Sequence, residues 1–261
     1  MNYRFFAKTD PGRARDNNED SVVFDESTGI GVLADGMGGY NAGEIASGMA
    51  TAFIKSELSR WLSEAGPGAS IREVRRAMEI CVDNANLSIF NSANSNASYF
   101  GMGTTLVMAI LRGERLLVGH IGDSRCYRLR AGVLDQITKD HSLLQEQIDA
   151  GLISPEQAVN SSIKNLVTRA LGVDESVLLE VNEHMVEVGD LYLMCSDGLS
   201  DMVDDAGIAR IVFSDLDLEQ KAAQLIDAAN ANGGRDNISV LLLGITEATE
   251  KRGLIARLLG K

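Results

Sequence analysis

Cysteine is scarce and unpatterned in this 261-residue chain: Cys81, Cys126 and Cys195 lie far apart, in odd number and with no Cys-x-x-Cys spacing. That excludes a disulfide framework and a cysteine zinc site, and reads as three small buried residues in a reducing compartment. Positive charge is also short. Against 37 acidic residues stand 24 basic ones, a formal charge of -13, which argues against a surface built for nucleic acid or anionic lipid. No apolar run approaches the ~20 residues of a membrane span, and the N-terminal MNYRFFAKTDPGR has no apolar core behind a basic start. A cytoplasmic chain with no transmembrane segment is therefore expected. There is no internal repeat and no low-complexity tract. What remains is an apolar content of 45%, enough for one well-packed domain.

Short β-branched runs at 21–24, 29–34, 104–111, 115–121, 125–130, 190–195 and 238–245 predict strands. The tight turns at 112–114 and 131–133 make neighbouring strands antiparallel. Between the second and third runs, Ala46, Met49, Ala50, Phe53, Ile54, Leu58 and Trp61 recur at helical spacing over 42–62. A second helix opens on a capping box, Ser70-Ile71-Arg72-Glu73, and runs through Val74, Met78, Cys81 and Ala85. A third covers 218–231. The stretch 91–98 reads as a mobile loop, and 142–171 as a less regular surface flap in which Ser154-Pro155-Glu156 starts a helix. Hairpins with separate amphipathic helices imply an α+β fold, sheets packed on each other with helices outside. The basic amphipathic segment 250–261 reads as a frayed tail or packed helix, with a docking segment as the other reading.

Four aspartates, Asp35, Asp123, Asp197 and Asp236, sit at or just beyond the ends of strand-like runs. Taken singly, Asp-Gly and Gly-Asp are ordinary strand terminators. Recurrence changes the weighing, because clustered carboxylates repel unless a cation compensates them. Near the N-terminus, Arg15-Asp16-Asn17-Asn18-Glu19-Asp20 adds further carboxylates and a guanidinium before another apolar run. Carboxylate and carbonyl ligands without paired histidines point to magnesium or manganese, hard ions that commonly handle phosphates. Gly36 lets a backbone carbonyl approach such an ion. Arg15 suits a fork on two phosphate oxygens, or an ion pair with a neighbouring acid.

The motifs Arg15-x-x-Asn18-Glu19-Asp20, Asp35-Gly36-Met37-Gly38-Gly39-x-x-x-Gly43-Glu44-x-Ala46-Ser47, Gly101-Met102-Gly103-Thr104-Thr105, Gly122-Asp123-Ser124-Arg125, Ser196-Asp197-Gly198-Leu199 and Gly234-Arg235-Asp236-Asn237 follow one another in this order. In order and spacing the chain resembles the metal-dependent protein phosphatase (PPM, type 2C) family, specifically its compact bacterial members, over roughly residues 5 to 246.

The resemblance implies a four-layer α-β-β-α sandwich of two antiparallel sheets flanked by helices, with a small flap subdomain near 142–171. It implies one phosphatase domain over 1–246, followed by a basic tail at 247–261. It further implies a serine/threonine phosphatase acting on phosphorylated proteins, as a monomer that opposes a serine/threonine kinase or acts on its targets. Two Mn2+ or Mg2+ ions, with a possible third, are implied as cofactors. Asp35 would bridge two metals with the Gly36 carbonyl on one, Asp197 and Asp236 would complete the other's shell, and Asp20 would act directly or through water, with Glu19 behind them. Asp123, Asp197 and Asp201 match the third, looser position, and Arg15 the phosphate-gripping arginine. In the implied mechanism a water between the two ions attacks phosphorus in line. Met37 stands where some members carry a histidine proposed as proton donor, and neither His120, His141 nor His184 matches that position; His120 reads as strand core, His184 as a sheet or surface residue, His141 as structural. The alternative is a pseudophosphatase or docking module with little catalysis, a class that usually lacks one or more of the metal aspartates present here.

Overall fold

The computed structural model describes residues 1–38, 42–154, 157 and 166–247. Gly39, the expected helix start at Pro155-Glu156, much of the central flap and the tail beyond Glu247 lie outside the described residues. Among those described, no helix is long and apolar enough to cross a membrane.

Among the described residues, eleven strands form two antiparallel sheets. One has the order β1 (Asn2–Asp10), β11 (Ile238–Thr246), β10 (Leu191–Cys195), β7 (Arg125–Arg130), β8 (Val133–Gln136). The other runs β2 (Asp20–Asp25), β3 (Ile30–Met37), β5 (Leu106–Arg112), β6 (Arg115–Ile121), β9 (Glu180–Met185), with the two-residue β4 (Gly103–Thr104) paired to the end of β3.

Side-chain alternation along the strands divides the core into three layers. On β11, Ile238, Val240 and Leu242 face the helices Asp205–Val212 and Leu218–Ala231, whereas Leu241, Leu243 and Ile245 face the opposite sheet. On β5, Leu106, Met108 and Ile110 pack under α1 (Ala42–Ala65) and α2 (Ile71–Ser95), while Val107, Ala109 and Leu111 join the inter-sheet layer. Three apolar layers between four tiers of secondary structure make the α-β-β-α sandwich. The three cysteines are buried, one in each layer: Cys81 under the helices, Cys126 between the sheets, Cys195 beneath the second helix set.

The capping box is formed as read: Ser70 Oγ accepts from the Glu73 N–H, and the Glu73 carboxylate accepts from the Ser70 N–H. The loop expected at 91–98 is corrected, since α2 continues through Ser95 and a 3-10 turn, Ala97–Tyr99, follows. Polar composition misled there. Ser88, Ser92 and Asn94 satisfy their side chains on carbonyls four residues back, and Ala93 reaches the core, so the helix holds despite poor intrinsic propensity. Strands β1, β8 and β9 and the helices Leu143–Asp149 (α3), Asp197–Ser200 and Asp205–Val212 also stand where no element was expected.

Candidate active site

Strand register brings the acidic residues to one edge of both sheets. Asp20 opens β2 and pairs with Asp35 on β3, and β5 and β6 end beside them at Leu106 and Ile121, placing Asp123 just beyond. In the facing sheet Cys195 pairs with Val240, so Asp197 leaves the sheet where Asp236 enters it. Arg15, Glu19, Asp35, Gly36, Asp123, Asp197 and Asp236 line one pocket of about 310 Å³. Asp201 lies one helical turn past Asp197, its N–H donating to the Asp197 carbonyl at 2.7 Å. Asp20 is not among the residues lining the pocket; its Oδ2 accepts from Ser196 Oγ at 2.8 Å.

The electrostatics are those of a site built for a cation. Burial and then repulsion from Asp20, Asp197, Asp123 and Asp236 push the Asp35 carboxyl well above the usual range. Burial, Asp123, Asp236 and Asp201 do the same to Asp197. Asp20 is raised to about 6 by burial, against hydrogen bonds from Ser239, Ser196 and Asp35, and Asp123 to about 6 by burial and Asp140. Asp20 Oδ1 is buried with no hydrogen-bond partner. Carboxylates in such a place must either protonate or meet a positive charge. The oxygen-only donor set and the orphaned Asp20 oxygen fit a hard divalent ion.

Arg15 Nη2 lies 2.8 Å from Asp236 Oδ2, a half-exposed pair. Of the two sequence readings, the ion pair is therefore formed, with an acid from the far end of the chain, and Arg15 lines the same pocket as the aspartates. A Cβ at Gly36 would meet the carbonyl oxygens of Gly43 and Glu19, so only glycine lets α1 close over this edge.

Several supporting residues had no role in the sequence reading. Asn237 Oδ1 accepts from the Glu19 N–H at 2.8 Å, while its amide donates to the carbonyls of Pro11 (3.0 Å) and Asn17 (2.8 Å). It thus ties the Arg15 loop to Asp236; its only signal was adjacency in the Gly234-Arg235-Asp236-Asn237 motif. Thr105 Oγ1 accepts from the Asp35 N–H and pairs with Ser124 Oγ, and Thr104 Oγ1 donates to the Asp35 carbonyl.

His141, expected to be structural, braces Asp123. Its Nδ1 accepts from the Gly122 N–H at 3.2 Å and its own N–H donates to the Gly122 carbonyl at 2.9 Å. The ring stacks on His120, fully buried in β6 as expected, at 4.6 Å. Together with Glu180 the two histidines offer ligand atoms within 4.8 Å of one another. However, His141 Nδ1 is already engaged by the Gly122 N–H, which leaves Nε2 as the ring nitrogen beside Glu180 Oε2 at 3.3 Å. This cluster is a hydrogen-bonded brace. His184 is half-buried on β9, opposite Leu116.

Comparison with known proteins agrees with this arrangement. The serine/threonine phosphatase stp of Listeria innocua is 39% identical over 239 residues, covering 90% of this chain and 93% of that protein. The crystal structure of the Mycobacterium tuberculosis serine/threonine phosphatase PstP/Ppp superposes with a TM-score of 0.84 at 36% identity, covering 95% of this chain and all of that one. A structure of the PstP catalytic domain in complex with two manganese ions gives a TM-score of 0.82 at 37% identity, covering 94% of this chain and 99% of that one. The family profile described as Protein phosphatase 2C matches residues 13–241, which hold every pocket-lining aspartate, and by that match and these identities the chain belongs to the protein phosphatase 2C family.

Proposed function

We propose that this chain is a metal-dependent serine/threonine protein phosphatase, hydrolysing phosphoserine and phosphothreonine in proteins with Mn2+ or Mg2+. The observation that carries it is the convergence of Asp35, Asp123, Asp197 and Asp236 from both sheets into one pocket with Arg15. Asp35, Gly36, Asp197 and Asp236 would hold two ions with Asp20 beside them, and Asp123, Asp197 and Asp201 a third. Bound there, the ions supply Lewis acidity toward the phosphoryl group and a nucleophilic water at neutral pH. Arg15 grips two phosphoryl oxygens and stabilises their charge as the ester bond breaks. Glu19 and Asn237 keep the Arg15 loop seated against Asp236. Thr104 and Thr105 fix the Asp35 backbone, so its carboxylate need not reorganise during the reaction. Met37 offers no proton at its position, so the leaving alcohol would take its proton from another group.

The reading extends to a monomer acting in the cytoplasm on the products of a serine/threonine kinase, as one catalytic domain over 1–246 with a flap near 142–171 and a separate tail at 247–261. Three buried free cysteines suit a reducing compartment. No observation favours the pseudophosphatase alternative, since every expected metal aspartate is present.

The test is phosphate release from phosphothreonine peptides with manganese titrated in. Release should stop with chelator, and Asp35→Asn or Asp197→Asn should lower kcat by roughly a thousandfold, the several kcal/mol that Lewis-acid stabilisation contributes. Metal-saturated protein that frees no phosphate from any phosphopeptide or aryl phosphate overturns the reading.

A further inference from the structure

Asp236 reaches the pocket with both carboxylate oxygens engaged. Its Oδ1 accepts from the Asn237 N–H at 2.8 Å, and its Oδ2 accepts from Arg15 Nη2 at 2.8 Å. That carboxylate is also the proposed ligand of a divalent ion, and that guanidinium the proposed fork for phosphate. Arg15 and the ion are therefore rivals: two positive charges beside one carboxylate repel each other, and a guanidinium drawing on Oδ2 makes it a poorer donor. Any N–H that Arg15 spends on Asp236 is in turn lost to phosphate.

The pair is of a kind that exchanges easily. It rests on one hydrogen bond between side chains 53% and 35% exposed, where an ion pair contributes little. Arg125 and Asp140 show the opposite case: Nε and Nη2 fork onto both oxygens at 3.0 and 2.7 Å, with the side chains only 28% and 11% exposed. The backbone around Arg15, however, is fixed. The Arg13 and Ala14 N–H groups donate to the Gly234 carbonyl at 2.7 and 3.2 Å, and the Asn237 amide holds the carbonyls of Pro11 and Asn17. A Cβ at Gly12 would strike the Asp236 carbonyl oxygen, so the loop lies directly on that residue. With the chain pinned on both sides of Arg15, its side chain is what can pass between Asp236 and a phosphoryl group.

We propose that Arg15 makes phosphate capture conditional on the metal: it occupies Asp236 and opposes ion binding there, and it comes free for the phosphoryl group when an ion takes that carboxylate. The proposal rests on the metal site of the phosphatase reading. By linkage the coupling is reciprocal, so a phosphoryl group that draws Arg15 off Asp236 raises the affinity of the site for the ion by the same factor. Arg15 thus has a second role beside gripping phosphate, as the charge that holds the ion site weak until substrate arrives.

The experiment is a calorimetric titration of the full chain with manganese, in the absence of any phosphate compound. Arg15→Gln and, separately, Arg15→Ala should each tighten one binding step by about ten-fold, the scale of removing a unit charge from beside a half-exposed ligand. Tighter binding is a gain that a misfolded variant does not show. Arg13→Gln removes the same charge from the same loop outside the pocket, and should move no step by more than about two-fold. In an Asp236→Asn background Arg15→Gln should change nothing, which closes the double-mutant cycle. Unchanged or weaker manganese binding in both Arg15 variants overturns the proposal. So does equal tightening in Arg13→Gln, or a full effect of Arg15→Gln without Asp236. Phosphate release is assayed apart, on the parent chain: a parent that binds manganese but frees no phosphate overturns the phosphatase reading, while the titration still decides the rivalry for Asp236. A parent that binds no manganese overturns both.

Discussion

The aspartates of the pocket are unequal, and their surroundings rank them. Asp35 feels four neighbouring carboxylates, whereas Asp123 is raised by burial and by Asp140, which Arg125 already engages. Asp123→Asn should therefore cost less activity at saturating manganese than Asp35→Asn, in a side-by-side assay of phosphate release. In chelator the order of merit reverses for Asp35. Replacing it by asparagine removes one charge from an uncompensated cluster, and denaturant unfolding should show the variant about 1 kcal/mol more stable than the parent. Site aspartates of this kind were legible in the sequence because each sits at the end of its own apolar run. Asn237 was not, because its role consists of bonds to Pro11, Asn17 and Glu19, partners that only the folded chain brings near; His141 was read as structural, but its partner Gly122 was not.

Among the elements, legibility followed local signals. The helix Leu218–Ala231 carries both an apolar stripe and an Asp217–Gln220 capping box, and it was read with the bounds it has. Strand β9, Glu180-Val-Asn-Glu-His-Met185, has almost no apolar alternation; it is a strand because β6 supplies its hydrogen bonds. Strand β1 likewise hides Tyr3, Phe5 and Ala7 among charged residues. Between elements, Arg130 on β7 clamps the start of β10, its guanidinium donating to both oxygens of buried Asp190 at 2.8 and 2.7 Å. Burial alone would raise the Asp190 carboxyl, but Arg130, the Glu187 N–H and Tyr192 hold it below its ordinary value. A depressed carboxylate stabilises the fold above its unfolded pKa and loses that contribution as pH falls through the folded one. The stability difference between the parent and Asp190→Asn should accordingly stay level above about pH 5, at roughly 2–3 kcal/mol, and shrink below about pH 4 in urea titrations.

At the scale of the whole molecule, the carboxylates proposed as ligands come from both sheets: β2, β3 and the β6–β7 turn on one side, the ends flanking β10 and β11 on the other. An ion held between them resists separation of the two halves as well as local fraying. Manganese at a hundred times its dissociation constant should add about 2.7 kcal/mol to global unfolding, seen as a single transition moving to higher temperature and returning with chelator. Splitting into two transitions would show that the sheets unfold independently. The order β1-β11-β10 carries a further consequence. Among the described residues the first strand has the last as its partner, and Arg15 and Asp20 precede Asp236 by more than two hundred positions. On the ribosome, therefore, Arg15 and Asp20 emerge long before Asp236, and a nascent chain stopped short of β11 leaves β1 unpaired and the pocket without Asp236. Activity would switch on only as the final strand threads between its neighbours, so that translation itself times the appearance of the enzyme.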